Sequence, residues 1–239
     1  MRRLTPLRAL LLPWLCWACL GATLNAQTVA VTLKVSVTRP GTPKGKQLDS
    51  AGAVVWLTPS QPTAASSLAK PGHYRLTQKD KQFTPHLLVI PTGSTVDFPN
   101  LDPFFHNVFS LFNGKRFDLG LYESGSSRTV HFNRDGVSYI FCNIHPEMSA
   151  IVITLPTPYY DVSSAEGEVT LRSVPPGSYD LHVWIEGASA RDLQALDRKV
   201  VITSSETNLG SIEIKVDAHA GSHKNKFGED YQSADEPIY

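Results

Sequence analysis

The chain has 239 residues, with 22 basic and 22 acidic side chains for a formal net charge of zero, and 41% hydrophobic content that is ample for a packed core. That length allows one large domain or two small ones. Basic blocks are absent, which removes the electrostatic footprint of a nucleic-acid binder, and nothing beyond the first 26 residues is apolar enough to span a bilayer.

The chain opens with Arg2, Arg3 and Arg8, followed by an apolar run over residues 9–20 and a small residue in Asn25-Ala26. This pattern is that of a secretory signal peptide over residues 1–26. The run falls short of the roughly 20 residues a membrane span needs. Arg2-Arg3 raises twin-arginine export, but Thr5 and Pro6 follow where hydrophobic residues belong, which favours the general secretory route. Cys16 and Cys19 raise a lipidation site, against which stand Cys16 three positions before Cys19 and the bulky Trp17. Cleavage would remove three basic and no acidic residues, leaving a formal charge of −3. The mature protein is expected to be soluble and exported, periplasmic or secreted.

Beyond residue 26 the pattern is all-β: short apolar or β-branched runs separated by Gly, Pro, Asn and Asp, with nothing strongly helical. Residues 29–37 alternate as a half-buried strand with Val29, Val31, Leu33, Val35 and Val37 on one face. A Pro/Gly/Lys loop over 41–50, a strand over 53–57 and a polar linker over 60–70 follow. Strands are then expected at 74–76, 83–90, 95–98, 105–112, 115–119, 128–132, 137–142 and 149–155. Asn113-Gly114 and residues 133–136 supply turns. A third stretch offers strands at 167–172, 179–186, 199–203 and 209–216, with a sharp turn at Val174-Pro175-Pro176-Gly177. Residues 218–239 lose apolar periodicity and are expected to be a disordered tail.

After cleavage Cys142 is the only cysteine and Met148 the only methionine, which excludes a disulfide within the mature chain. The two flank His145 in Cys-Asn-Ile-His-Pro-Glu-Met, and His106 lies 36 positions upstream of Cys142. The bland reading of Cys142 is a buried inert thiol. Against it, the sole sulfur residues fall six apart around a histidine. One thiolate, two imidazoles and a thioether form the ligand set of a blue-copper centre, with the methionine weak and axial. Zinc also takes Cys and His, but a soft thioether argues for copper. His86 is a far weaker candidate; His73, His131 and His182 have no companion at ligand spacing. His219 and His223, four apart, are more simply read as part of a solvated tail.

On these motifs, residues 72–157 resemble the cupredoxins. The matching elements run through Phe83-Thr84-Pro85, Gly93-Ser94-Thr95-Val96, Pro99-Asn100, His106-Asn107, Gly136 to Tyr139 and Phe141-Cys142. The Cys-x2-His-x2-Met loop is similar to that of amicyanin. The resemblance implies a Greek-key β-sandwich holding one type 1 copper ion, with His106, Cys142, His145 and Met148 as ligands. It also implies that Asn107 ties the two ligand loops and supports the cysteine sulfur, the alternative being a turn asparagine bonded to its own backbone. Pro146 has no N–H to offer within the loop. Residues 158–217 resemble the carboxypeptidase regulatory-like domain, a small transthyretin-like β-sandwich, on Gly167 to Leu171 and Val174 to Tyr179. About 60 residues is marginal for such a sandwich alone. Residues 27–60 are therefore expected to complete it, with the cupredoxin unit inserted.

The leading functional reading is an exported single-copper electron-transfer protein with a transient redox partner. Phe104, Phe105 and Phe112 would be either its docking face or core. The alternatives are a copper-binding or copper-delivery module without a redox circuit, and a binding sandwich with a structural metal clamp. An enzyme is not expected: His-x-His pairs are absent, Phe141 and Asn143 flank the cysteine, and a dinuclear copper site would need a second thiolate.

Overall fold

Val31, Leu33, Val35 and Val37 are all buried, as alternation along a strand with one face inward requires. The computed structural model describes residues 27–43, 48–61, 69–111, 114–205, 207–217 and 224–230. The expected signal peptide, His219, His223 and Phe112 lie outside these residues, as do parts of the expected 41–50 loop and 60–70 linker.

The strands are β1 (Val29–Thr38), β2 (Val54–Pro59), β3 (His73–Arg75), β4 (Thr77–Lys79), β5 (Gln82–Thr84) and β6 (Leu87–Pro91), then β7 (Ser94–Pro99), β8 (His106–Ser110) and β9 (Phe117–Tyr122). They continue as β10 (Ser127–Phe132), β11 (Gly136–Phe141), β12 (Ser149–Leu155), β13 (Tyr160–Val162), β14 (Glu168–Val174) and β15 (Gly177–Trp184). A short helix, α1 (Ala190–Gln194), precedes β16 (Arg198–Ile202) and β17 (Thr207–Lys215). The protein is therefore all-β in class, apart from this one helix among the described residues. Ser189 caps α1 by accepting from the Asp192 N–H. The expected strand over 83–90 is broken into β5 and β6 around Pro85, which has no N–H to give a ladder.

Among the described residues, four sheets and a hairpin result. β14-β1-β17 and β13-β2-β15-β16 enclose one apolar core. β1 pairs antiparallel with β14 and parallel with β17, so strands remote in sequence meet here. At the β1–β14 crossing Gly167 has φ +81°, and a Cβ there would lie 1.8 Å from the Val35 carbonyl oxygen, so only glycine fits. The second core lies between β6-β12-β11-β8-β9 and β10-β7-β3, beside the β4–β5 hairpin.

The two pairs of sheets pack on each other through β12. Ala150 and Val152 face the core that contains Cys142, whereas Ile151, Ile153 and Leu155 face Val54 and Trp184 of the other pair. Burial on both faces explains why residues 149–155 read as a continuous apolar run rather than an alternating one. His182 stacks on Trp56 at 5.2 Å in the same sheet.

Candidate metal centre

Three side chains converge at one end of the second core. The Cys142 sulfur lies 3.7 Å from His106 Nδ1 and 3.7 Å from His145 Nδ1. All three donor atoms fall within 4.8 Å of one another. His106 opens β8, and Cys142 follows the last residue of β11, which pairs with β8 through Phe141 and Phe109. Adjacent strands thus deliver the imidazole and the thiol. The chain then turns back: the Met148 N–H donates to the His145 carbonyl at 3.1 Å, and the Cys142 N–H to the Met148 carbonyl at 3.2 Å. That closed loop brings His145 to the sulfur and returns Met148 to the core, where it is fully buried in the same apolar cluster as Cys142.

The orientation of His106 has a second cause, one that sequence reasoning missed. Its Nε2 lies 2.8 Å from Asp102 Oδ2, both side chains being buried. A carboxylate only accepts, so Nε2 carries a proton, and Nδ1 is the nitrogen that faces the sulfur. Asp102 is itself fixed. Its Oδ1 accepts from the Asp80 N–H at 2.6 Å and its Oδ2 from the Lys81 N–H at 3.0 Å. Residues 80 and 81, both at φ 54°, form the turn between β4 and β5 with the positive angles a tight hairpin demands. The Asp102 N–H donates to Asn100 Oδ1 at 3.0 Å, and the Asn100 amide donates to the Phe104 carbonyl at 2.8 Å. Burial alone would raise the Asp102 pKa, but the bonds from His106, Lys81 and Asp80 outweigh it and hold the carboxyl below its ordinary value. An acid four residues before His106, after Pro99-Asn100, was the available signal; it carries no period because the segment is a loop.

The electrostatics suit a thiolate. Burial raises the Cys142 pKa, but His106 and the backbone N–H groups of Asn107, Ile144 and His145 more than offset it, so the thiol is held below its usual value. Pro146 offers no donor, yet the residues before it do. For His106, burial acts downward but the bonds to Cys142 and Asp102 leave its pKa raised. For His145, burial and the neighbouring charges of His106 and Lys81 lower it. His145 is half-buried, and its ring lies 4.9 Å from that of His106 at 66°. Phe104 leans on both imidazoles, with ring centroids at 5.2 and 5.6 Å.

Asn107 differs from the expectation in one respect. Its side-chain amide donates to Asp118 Oδ1 in β9 at 2.7 Å rather than to the 142–148 loop. Its backbone N–H is what bears on the sulfur. The other described histidines lie elsewhere: His86 on Glu186 at 2.8 Å, His73 on Asp97 at 2.6 Å, His182 on Asp197 at 3.1 Å and His131 on the Gly93 carbonyl at 2.9 Å. Phe104 and Phe105 are exposed, at 37% and 55%, rather than core.

A donor set of one thiolate-prone cysteine and two oriented imidazoles can hold a metal ion. No protein-family profile matches the chain, and neither does any curated protein. Among solved structures, a purple cupredoxin from Nitrosopumilus maritimus is similar at 26% identity and a TM-score of 0.31, over 34% of this chain and 99% of that one. A copper-containing nitrite reductase (NirK) from Thermus scotoductus SA-01 is similar at 21% and 0.33, over 50% of this chain but only 28% of the reductase. An amicyanin variant in its reduced Cu(I) form matches at 17% and 0.33, over 42% of this chain and 98% of its own. These neighbours are cupredoxins or contain copper, and the overlaps are partial.

Proposed function

We propose that the chain is an exported electron-transfer protein that holds one copper ion, and that it is not an enzyme. The observation that carries this reading is the placement of the Cys142 sulfur 3.7 Å from Nδ1 of both His106 and His145. The residues fit the group. A thiolate with a lowered pKa, two imidazoles and a buried thioether at Met148 form a soft set that suits copper better than zinc. Copper bound there would supply a one-electron Cu(II)/Cu(I) couple.

The chain's own residues do the rest. Asp102 holds His106 in one tautomer and one orientation, and backbone donors stabilise the sulfur as a thiolate. The closed 142–148 loop keeps His145 and Met148 on a rigid sandwich end, so little need rearrange between oxidation states. His145 is half-buried beside exposed Phe104 and Phe105, which supports an apolar edge for transient contact with a redox protein. The second sandwich, from residues 27–60 and 158–217, would be the transthyretin-like unit into which residues 72–157 are inserted. The pairing of β1 with β14 and β17, and of β2 with β13 and β15, supports that division. Residues 1–26 would direct export to the periplasm or beyond. Among the described residues no helix is long and apolar enough to cross a membrane.

The test is a visible spectrum and a voltammogram of the copper-loaded protein. An intense thiolate-to-Cu(II) band together with a reversible one-electron wave is the expected result. A coloured protein that yields its copper rapidly to a chelator and shows no reversible wave would instead be a delivery module. A colourless Cu(II) form would remove the blue-copper reading.

A further inference from the structure

Within the segment expected to be a disordered tail, residues 224–230 form a hydrogen-bonded turn. Here Asn225 closes a turn on itself: its N–H donates to the Glu229 carbonyl at 2.9 Å, and its side-chain oxygen accepts from the N–H groups of Phe227 and Glu229 at 2.9 and 3.0 Å. Local closure of this kind needs no apolar periodicity, so composition did not disclose it.

The turn is fastened at Lys226 by two bonds that land on either side of the proposed metal centre. The Lys226 N–H donates to Asn143 Oδ1 at 2.9 Å, and its ammonium donates to Asp118 Oδ2 at 2.8 Å. Asn143 follows Cys142. Asp118 uses its other oxygen to accept from the Asn107 amide, and Asn107 follows His106. The Asn107 side-chain oxygen is buried and makes no bond among the described residues, so Asp118 is the tether of that amide. The chain of contacts Asn143–Lys226–Asp118–Asn107 therefore joins the two ligand-bearing segments from behind, a tie expected of Asn107 itself and made instead through the C-terminal turn. Asp118 is a charge held in place: burial raises its pKa, but Lys226, the Gly120 N–H and Asn107 lower it further.

We propose that Lys226 is a positioning residue for the metal centre. Its turn acts as a strap that holds Asn107 and Asn143, and so keeps the Asn107 backbone N–H directed at the Cys142 sulfur. The proposal concerns the site as read above, yet it makes a claim about the metal-free protein as well: the strap shields and orders the thiol before any ion arrives. Lys226 touches no donor atom, and its side chain is 25% exposed, so its loss should leave the sandwich folded.

The experiment compares the full chain with Lys226→Ala and Lys226→Arg. In the metal-free proteins, alkylation of Cys142 by iodoacetamide is followed; in the copper-loaded proteins, the visible band and the release of copper to a chelator. Lys226→Ala should alkylate faster, shift the band, and release copper about 10-fold faster, at the low end of what loss of an outer support costs a metal site. Lys226→Arg, which keeps the cation, should restore all three. Raising the salt concentration should speed alkylation of the unaltered chain more than that of Lys226→Ala, since the ion pair is partly exposed. Equal alkylation and release in all three proteins would overturn the proposal, as would an arginine variant that behaves like the alanine one. If the unaltered chain fails to form the thiolate band, the copper reading fails, while the alkylation comparison still decides whether the strap exists.

Discussion

The two sandwiches solve opposite problems with the same β architecture. The core between β14-β1-β17 and β13-β2-β15-β16 is aliphatic apart from Tyr159 and Tyr179, and holds no histidine, cysteine or acid among its described residues. The core between the other two sheets holds Cys142 and Met148 and has His106, Asn107 and Asp102 buried at one end. Burying such groups is costly unless each is bonded. Here the bonds form a connected set from Asp80 and Lys81 through Asp102 to His106 and the sulfur. The difference teaches where function resides: one sandwich spends its interior on packing, the other gives part of its interior to ordered polar chemistry.

That contrast can be broken most sharply at Cys142. Cys142→Ser should abolish the visible band of the copper-loaded protein and weaken copper binding by more than about 100-fold, above the range for loss of an outer support. Thermal unfolding of the first core should not change. The converse substitution is Leu181→Ala, fully buried in the aliphatic core. It should cost about 2–5 kcal/mol of stability, measured by denaturant unfolding, and leave the copper spectrum unaltered. A spectrum that moved with Leu181→Ala would show that the two regions are not independent.

Asp102→Asn sharpens the account within the polar region. Removing the carboxylate that orients His106 should lower copper affinity by about 10- to 100-fold, read by competition with a chelator.

The smallest effect belongs to the seam between the sandwiches, where His86 meets Glu186 at 2.8 Å and the Ser149 carbonyl at 3.2 Å. The bond to Glu186 raises the His86 pKa, burial lowers it, and the net direction is upward from 6.5. A raised folded-state pKa means this contribution is fully present below the unfolded value and fades as pH rises through the folded one. Both side chains are about half exposed, so stability should fall by under about 1 kcal/mol across that window. His86→Ala should flatten the dependence, as measured by unfolding at pH 6 and pH 8.

The sequence disclosed what is periodic or local. Alternation marked β1 and β15, and Ser149–Leu155 was bounded correctly because Pro156 ends the run. The Cys142–Met148 spacing announced a compact loop because every member lies within one turn. Long-range pairings left no such trace. Asp102 reaches His106 from a loop without a period, and Asp118 meets Lys226 across most of the second half of the chain. The helix at Ala190–Gln194 is too short for an amphipathic period, and its Ser189 cap emerged only in the structure. Phe104 and Phe105 were ambiguous for another reason: they lie in the loop before β8, where no alternation tells an inward from an outward side chain, and they proved exposed.

The central claim is that one sulfur and two imidazole nitrogens share a metal ion. X-ray absorption at the copper edge of the loaded protein, in the oxidised and the reduced state, tests this most directly. The account predicts one short copper–sulfur bond and two copper–nitrogen bonds, nearly unchanged between the states. A first shell of nitrogen and oxygen alone, or a copper–sulfur bond that breaks on reduction, would contradict it.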